Sequence, residues 1–250
     1  MTINLHPNSY SANTYSTDVP SPERAAESDT KTSALHRGKR GATYNADLWP
    51  QHSTIKISLL NMTDKQKELT KDSINKWAPH INLKLEFVDG PDGDIRIAAN
   101  NQTGGNSAIG RQANDIPKSE PTMVIGFGGE NDNYTAGTIM HEFGHALGLQ
   151  HEHQHPDNTL DFDRERVYQE YAKHGLTREE TDAFVLNPLN RENLIFLGYD
   201  KDSIMNYGFA EGTIRNRGAI PRGNDLSKGD KEFAEFIYPK SKIKTLDQSR

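Results

Sequence analysis

The order of secondary-structure signals along this chain predicts an α+β fold in two lobes. Alternating apolar strands with one intervening helix come first. A helix carrying the histidine-rich run HEFGHALGLQH (141–151) follows, and a capped helix opening at Ser227 closes a stretch that is otherwise helix and loop. That order sets a sheet-bearing N-terminal lobe with two long helices against an irregular C-terminal lobe, with an active-site cleft between them.

Residues 1–40 are rich in Ser, Thr, Asn, Asp and Pro, show almost no apolar periodicity and end in His36-Arg37-Gly38-Lys39-Arg40. They read as a flexible leader, either a possible prosegment or a tail, with the catalytic domain over 41–250. Packed texture begins at Asp47-Leu48-Trp49-Pro50, and 54–59 alternates as a half-buried strand does. Thr63 or Asp64 caps a helix running to about residue 78, which turns Leu69, Ile74 and Trp77 inward before Pro79. Strands are expected over 83–88, 94–98 and 122–127, and the motif helix over 135–147. Asp163 caps a further helix, a second helical stretch begins near Thr177, and the terminal helix packs Phe233, Phe236 and Ile237 before Pro239.

The 250 residues suffice for one substantial core, although 33% hydrophobic content and a mean hydropathy of −0.82 imply that part of the chain stays solvated. A formal charge of −6 with scattered Lys and Arg argues against nucleic acid as a partner. No stretch approaches the roughly 18 apolar residues that cross a membrane, so no membrane association is expected and the chain reads as a monomer. Cysteine is absent, which removes disulfides and thiolate metal sites. The N-terminus lacks the basic and apolar regions of a secretory signal. The expected location is therefore outside the cell by another route, or the cytoplasm before delivery.

The run at 141–151 carries the chemistry. Residues four apart share a helix face, so His141 and His145 present imidazoles to one ion, while Ile139, Phe143, Ala146 and Leu147 anchor the opposite side. Gly148 tolerates the positive φ needed to leave the helix and swing His151 back as the third ligand. Three neutral imidazoles leave a zinc position open for a water, and Glu142 stands beside it as general base and proton shuttle. His153 and His155 continue the cluster, but three ligands already suffice, so both are read as surface groups or supports behind the ligands.

The same run, followed by Ser203-Ile204-Met205-Asn206-Tyr207, resembles the metzincin clan of zinc endopeptidases. Glu152 after the third histidine, HEHQHPD and SIMNY look most like its astacin family, as do DLWP, NSAIGR, AGTIMHEFGHALG, YDKDSIMNYG and LSKGDKEFAEFIY, covering about 45–238. The resemblance implies a metzincin-like fold with a twisted mixed sheet, one catalytic zinc, and an extended substrate on the edge near 107–111. It implies that Met205 forms a tight turn beneath the ligands and that Tyr207 is a switchable zinc ligand stabilising the tetrahedral intermediate. It also implies that a leader aspartate fills the open zinc position and that a mature N-terminus is buried near Glu152. Asp18 and Asp29 are the candidates for that aspartate, and Gly41 follows a cut near Arg40. The sequence departs from the family in carrying Asn206 where His is common, in lacking the leader motif Phe-x-Gly-Asp, and in having no disulfides.

The reading is a zinc-dependent endopeptidase acting on proteins or peptides, with a secreted or delivered bacterial-type effector as one setting for it. An inactive zinc-stabilised binding module is the alternative, against which the presence of Glu142 stands.

Overall fold

A computed structural model describes residues 15–17, 40–129, 131–215 and 217–240. A six-stranded sheet in the order β1-β6-β7-β5-β3-β4 forms the N-terminal lobe. Its strands are β1 (Tyr15–Thr17), β3 (Thr54–Leu60), β4 (Lys84–Val88), β5 (Ile95–Asn100), β6 (Gly105–Ala108) and β7 (Met123–Gly126). β3 runs parallel to β4 and β5, and β5 parallel to β7, while β6 is antiparallel to β7. The sheet is thus mixed, as the order of signals predicts. β2 (Ala42–Tyr44) lies outside it and pairs with β8 (Leu194–Phe196), a two-stranded ribbon that ties the segment after Arg40 to the C-terminal lobe.

Helix α1 (Asp64–Asn75) opens with a reciprocal capping box in which Gln66 N donates to Thr63 Oγ1 and Thr63 N donates to Gln66 Oε1. Helix α2 (Asp132–Ala146) begins three residues before the predicted start, because Asn131 accepts from Tyr134 N as its N-cap. Both pack on the sheet around Ile55, Ile57, Ile74, Trp77, Ile97, Met123, Ile139 and Phe143, all buried. Leu69 is only partly buried against this core. Beneath the sheet, the fully buried Arg96 donates to the carbonyls of Gly93, Ile116, Pro117 and Glu120, pinning the segment that leads into β7.

The C-terminal lobe has its own smaller core, with Leu160, Val167, Tyr171, Val185, Leu186, Tyr207, Phe209 and Ile214. It is served by α3 (Arg164–Ala172), capped by Asp163, and by α4 (Arg178–Thr181), whose Thr177–Glu180 capping box runs on into a π-turn over Asp182–Leu186. Helix α5 (Lys228–Ile237) returns to the main core through Phe233, Ala234 and Ile237. Phe236, expected to pack there, is instead 42% exposed, because it lies on the outer side of that helix. The flexible leader expected over 1–40, with Asp18 and Asp29 in it, lies outside the described residues except for β1 and Arg40.

Candidate metal centre and active site

The end of α2 is held from three directions. Trp77 Nε1 donates to Met140 O at 3.0 Å, Trp49 Nε1 to Ala146 O at 2.7 Å, and the Tyr238 hydroxyl to Leu147 O at 2.7 Å. Gly148 N donates to His145 O, and Leu149 N to Gly144 O, with Gly148 at φ +101°. That pair of bonds is a Schellman closure, satisfying carbonyls the helix leaves open while reversing the chain toward His151. Thr43 Oγ1 then caps Gly148 O at 2.5 Å, so β2 braces the reversal.

His141, His145 and His151 converge as predicted, and all three are buried. Their Nε2 atoms lie 3.2 Å (141–145) and 3.1 Å (145–151) apart. Ligand atoms bound tetrahedrally at about 2.0–2.1 Å would sit roughly 3.3–3.4 Å from each other. His141 Nδ1 donates to Ile204 O and His145 Nδ1 to Leu149 O, both at 2.7 Å. Their Nε2 atoms therefore both carry lone pairs and cannot hydrogen-bond one another; a cation between them turns that repulsion into coordination. The donor set thus fits zinc. Burial, then the fields of His145 and Arg222, hold His141 well below the usual imidazole range. Burial alone lowers His145 to about 4, and burial with neighbouring histidines lowers His151. All three are neutral and ready to ligate at pH 7.

Glu142 is fully buried beside this cluster. A Cβ on Gly105 would come within 2.8 Å of Glu142 Cγ, so strand β6 lies directly against the carboxylate's stem. Gly144, two residues on and facing another side of the helix, lies against Met205: a Cβ there would collide with Sδ. Met205 therefore sits under the ligand helix, in a turn fastened by Met205 N to Ser203 Oγ and by Glu152 N to Met205 O, each at 2.9 Å. Asn206 donates to Lys201 O and the Tyr199 hydroxyl, each at 3.2 Å.

Tyr207 is buried against the ligands, its ring centroid 4.4 Å from that of His151 and 6.1 Å from that of His141. His153 and His155 are not surface groups: both are buried, because the turn Glu152–Gln154 folds inward under Asp182–Leu186. Neither joins the metal cluster. His155 lies against Phe196 at 5.5 Å, and His153 stacks on Tyr207.

Two site residues escape sequence reasoning. Arg222 donates to Thr138 Oγ1 at 2.9 Å, one helical turn before Glu142, and its guanidinium lies 5.3 Å from the Tyr134 ring centre. Asp230 doubles as capping residue of α5 and as anchor of the methionine turn, accepting from Ser203 Oγ at 2.5 Å and from Ile204 N and Ser227 N at 2.8 Å. The Ser227–Asp230 spacing announces the cap, but nothing in it announces the second task. Beside Asn206, a pocket of about 390 Å³ opens between Lys201, Arg217, Pro221 and Arg222.

Glu152 is also buried, its Oε1 accepting from Asp200 N at 2.5 Å, and burial pushes its carboxyl well above the usual range. The cation nearest this pair is the guanidinium of Arg40, which reaches Asp200 at 3.1 Å. Gly41 N donates to Gly198 O at 3.2 Å. In the intact chain Arg40 thus meets Asp200, whose backbone N–H donates to Glu152.

A buried three-histidine cluster on a helix and its return loop, with a glutamate on the same helix beside β6, is the side-chain arrangement of a metzincin-type zinc centre. The chain belongs to the astacin family, peptidase family M12A, whose profile matches residues 41–227. It is 27% identical over 221 residues to human tolloid-like protein 1, covering 81% of this chain and 20% of that protein. It is 26% identical over 238 residues to bone morphogenetic protein 1 of Xenopus laevis, covering 89% of this chain and 31% of that protein. The chain thus spans about a fifth to a third of the length of these relatives. The solved structure of myroilysin superposes with a TM-score of 0.76 at 30% identity, covering 80% of this chain and all of that one. A hatching-enzyme zinc-protease of the medaka Oryzias latipes shares the fold, with a TM-score of 0.53 at 20% identity over 77% of this chain and 94% of that one.

Proposed function

We propose that this chain is an active endopeptidase, with zinc held by His141, His145 and His151 and with Glu142 as general base. The observation that carries the reading is the tautomer arrangement: two Nδ1–H groups committed to carbonyls leave the Nε2 lone pairs of His141 and His145 facing each other at 3.2 Å, with His151 Nε2 3.1 Å from that of His145, an arrangement that a bound cation satisfies. Bound zinc would polarise the scissile carbonyl and acidify a water. Glu142 takes the water's proton and returns it to the leaving amine, and Tyr207 hydrogen-bonds the developing oxyanion. The backbone of β6 supplies an edge on which an extended peptide adds as a strand. Glu142→Gln is expected to keep about one zinc per chain and to lose about 10²–10⁴ in kcat. Metal analysis alongside turnover decides it; near-normal turnover would remove Glu142 from the mechanism, whereas a zinc-loaded parent chain with no turnover would leave the binding-module alternative in its place.

We further propose that the leader lies across the substrate edge and holds the enzyme back. The support is β1, which pairs antiparallel with β6 in the register Tyr15↔Ala108, Ser16↔Ser107, Thr17↔Asn106, where a peptide strand would otherwise add. Because Arg40 holds Asp200, the shortened chain to compare begins at Arg40. Full-length protein that mass measurement shows to be uncut should turn over a peptide substrate more slowly than the shortened chain. Equal rates would assign the leader another task.

A further inference from the structure

His153 stands two residues beyond the third ligand, is fully buried, and takes no part in the metal cluster. Its ring stacks on Tyr207 with centroids 4.2 Å apart and planes inclined by 26°, and it meets Phe209 edge-on at 5.6 Å. The imidazole cannot turn freely. Its Nε2 lies 3.3 Å from Phe184 O, to which it donates, and its backbone carbonyl accepts from Asn158 Nδ2 at 2.6 Å. The next residue, Gln154, donates to both Ala183 O and Asn187 O at 2.9 Å, so the turn bearing His153 is clamped to the segment over 182–187. His153 Nδ1 has no hydrogen-bond partner among the described residues, so the ring faces its surroundings chiefly as a flat aromatic surface.

Such a face resists tilting of the stacked ring yet lets it slide in its own plane, because offset-stacked geometries differ little in energy along the slide. Tyr207 meets His151 at a 62° inclination, which gives no comparable parallel support. We propose that His153 is a positioning residue for Tyr207, a fixed shelf that keeps the phenol in the plane from which its hydroxyl reaches the reacting carbonyl. The inference rests on the role of Tyr207 proposed above. It also gives the segment over 182–187, remote in sequence, a part in catalysis: it holds the shelf.

The test is a cycle of kinetic measurements on the zinc-loaded full chain, with zinc content and thermal unfolding recorded for each variant. His153→Ala and His153→Asn both remove the ring, and Asn still offers an N–H toward Phe184 O. Each should lower kcat about three- to tenfold with KM nearly unchanged and zinc retained, whereas His153→Phe, which keeps a flat face, should stay within about twofold of the parent. In a Tyr207→Phe background the same His153 changes should have no further effect on kcat, because the hydroxyl they position is gone. If His153→Asn keeps full kcat, or if its loss is as large in the Tyr207→Phe background, His153 does not act through Tyr207. If Tyr207→Phe alone leaves kcat unchanged, the role of Tyr207 fails, and this inference with it.

Discussion

At the scale of single residues, Gly105 lies directly against Glu142, the residue proposed as general base. A methyl group there would stand 2.8 Å from Glu142 Cγ, 2.9 Å from Val124 O and 3.1 Å from Thr138 Cγ2. The backbone oxygen cannot move without breaking the β6–β7 ladder, so the Glu142 side chain has to give. Gly105→Ala is therefore expected to retain zinc but lose kcat, with destabilisation of about 1–3 kcal/mol from overpacking. Zinc content, kcat and an unfolding curve check this, and unchanged kcat would mean that the carboxylate is not held by the strand. The contrast with the ligands shows what single residues reveal. His141, Glu142, His145 and His151 are legible because helix periodicity and one glycine set their geometry locally. Gly105, Arg222 and the burial of His153 depend on strands and turns brought from far along the chain, and no local spacing encodes them.

At the scale of elements, the C-terminal helix and the metal centre are joined through one carboxylate. Asp230 accepts Ser227 N as α5's cap and accepts Ser203 Oγ and Ile204 N in the methionine turn, and Ile204 O in turn accepts from His141 Nδ1. Asp230→Asn replaces one acceptor oxygen with a donor in a pocket of donors, leaving buried groups facing each other wrongly. The expected cost is about 1–3 kcal/mol of stability, with zinc held less tightly because His141 loses its fixed orientation. Denaturant midpoints and zinc competition with a chelator measure both; a stability loss with unaltered zinc affinity would uncouple helix from ligand. The elements were largely readable in sequence, including the caps at Asp163 and Ser227; Thr63, and not Asp64, caps α1, and the helical stretch expected near Thr177 opens with Thr177 as its cap. The β2–β8 ribbon was not, because two three-residue strands separated by about 150 residues carry no periodicity of their own. Nor could β1 be read from a polar leader, since its pairing is supplied by the open edge of β6 and not by apolar alternation.

At the scale of the whole molecule, the site makes stability depend on pH with a definite sign. Burial holds His141 and His151 well below the usual imidazole range, His145 at about 4 and His153 at about 3. In the unfolded chain these groups take up protons below about pH 6.5, while the folded chain still excludes them. The unfolded state then binds more protons, so stability falls as pH drops, by up to about 1.4 kcal/mol per pH unit for each such histidine. For His145 this loss runs from the unfolded value down to about 4, and for His153 down to about 3. The buried carboxyls act in the opposite sense: burial raises Glu152, Asp230 and Asp47, so the folded state binds their protons first and gains stability as pH falls from their folded values toward their unfolded ones. Four strongly lowered histidines outweigh three raised carboxyls if the shifts are of similar size, and zinc adds to the histidine side, because the ligands must be unprotonated to hold it. The expected outcome is a urea midpoint that drops between about pH 7 and about pH 5 with or without zinc. The zinc-loaded chain should drop more steeply, and the stabilisation by zinc should shrink toward acid. Unfolding curves at matched ionic strength, with and without a chelator, measure it. A metal-free midpoint that stays level or rises toward pH 5 would show that the carboxyls around Glu152, and not the histidine core, govern the acid limb.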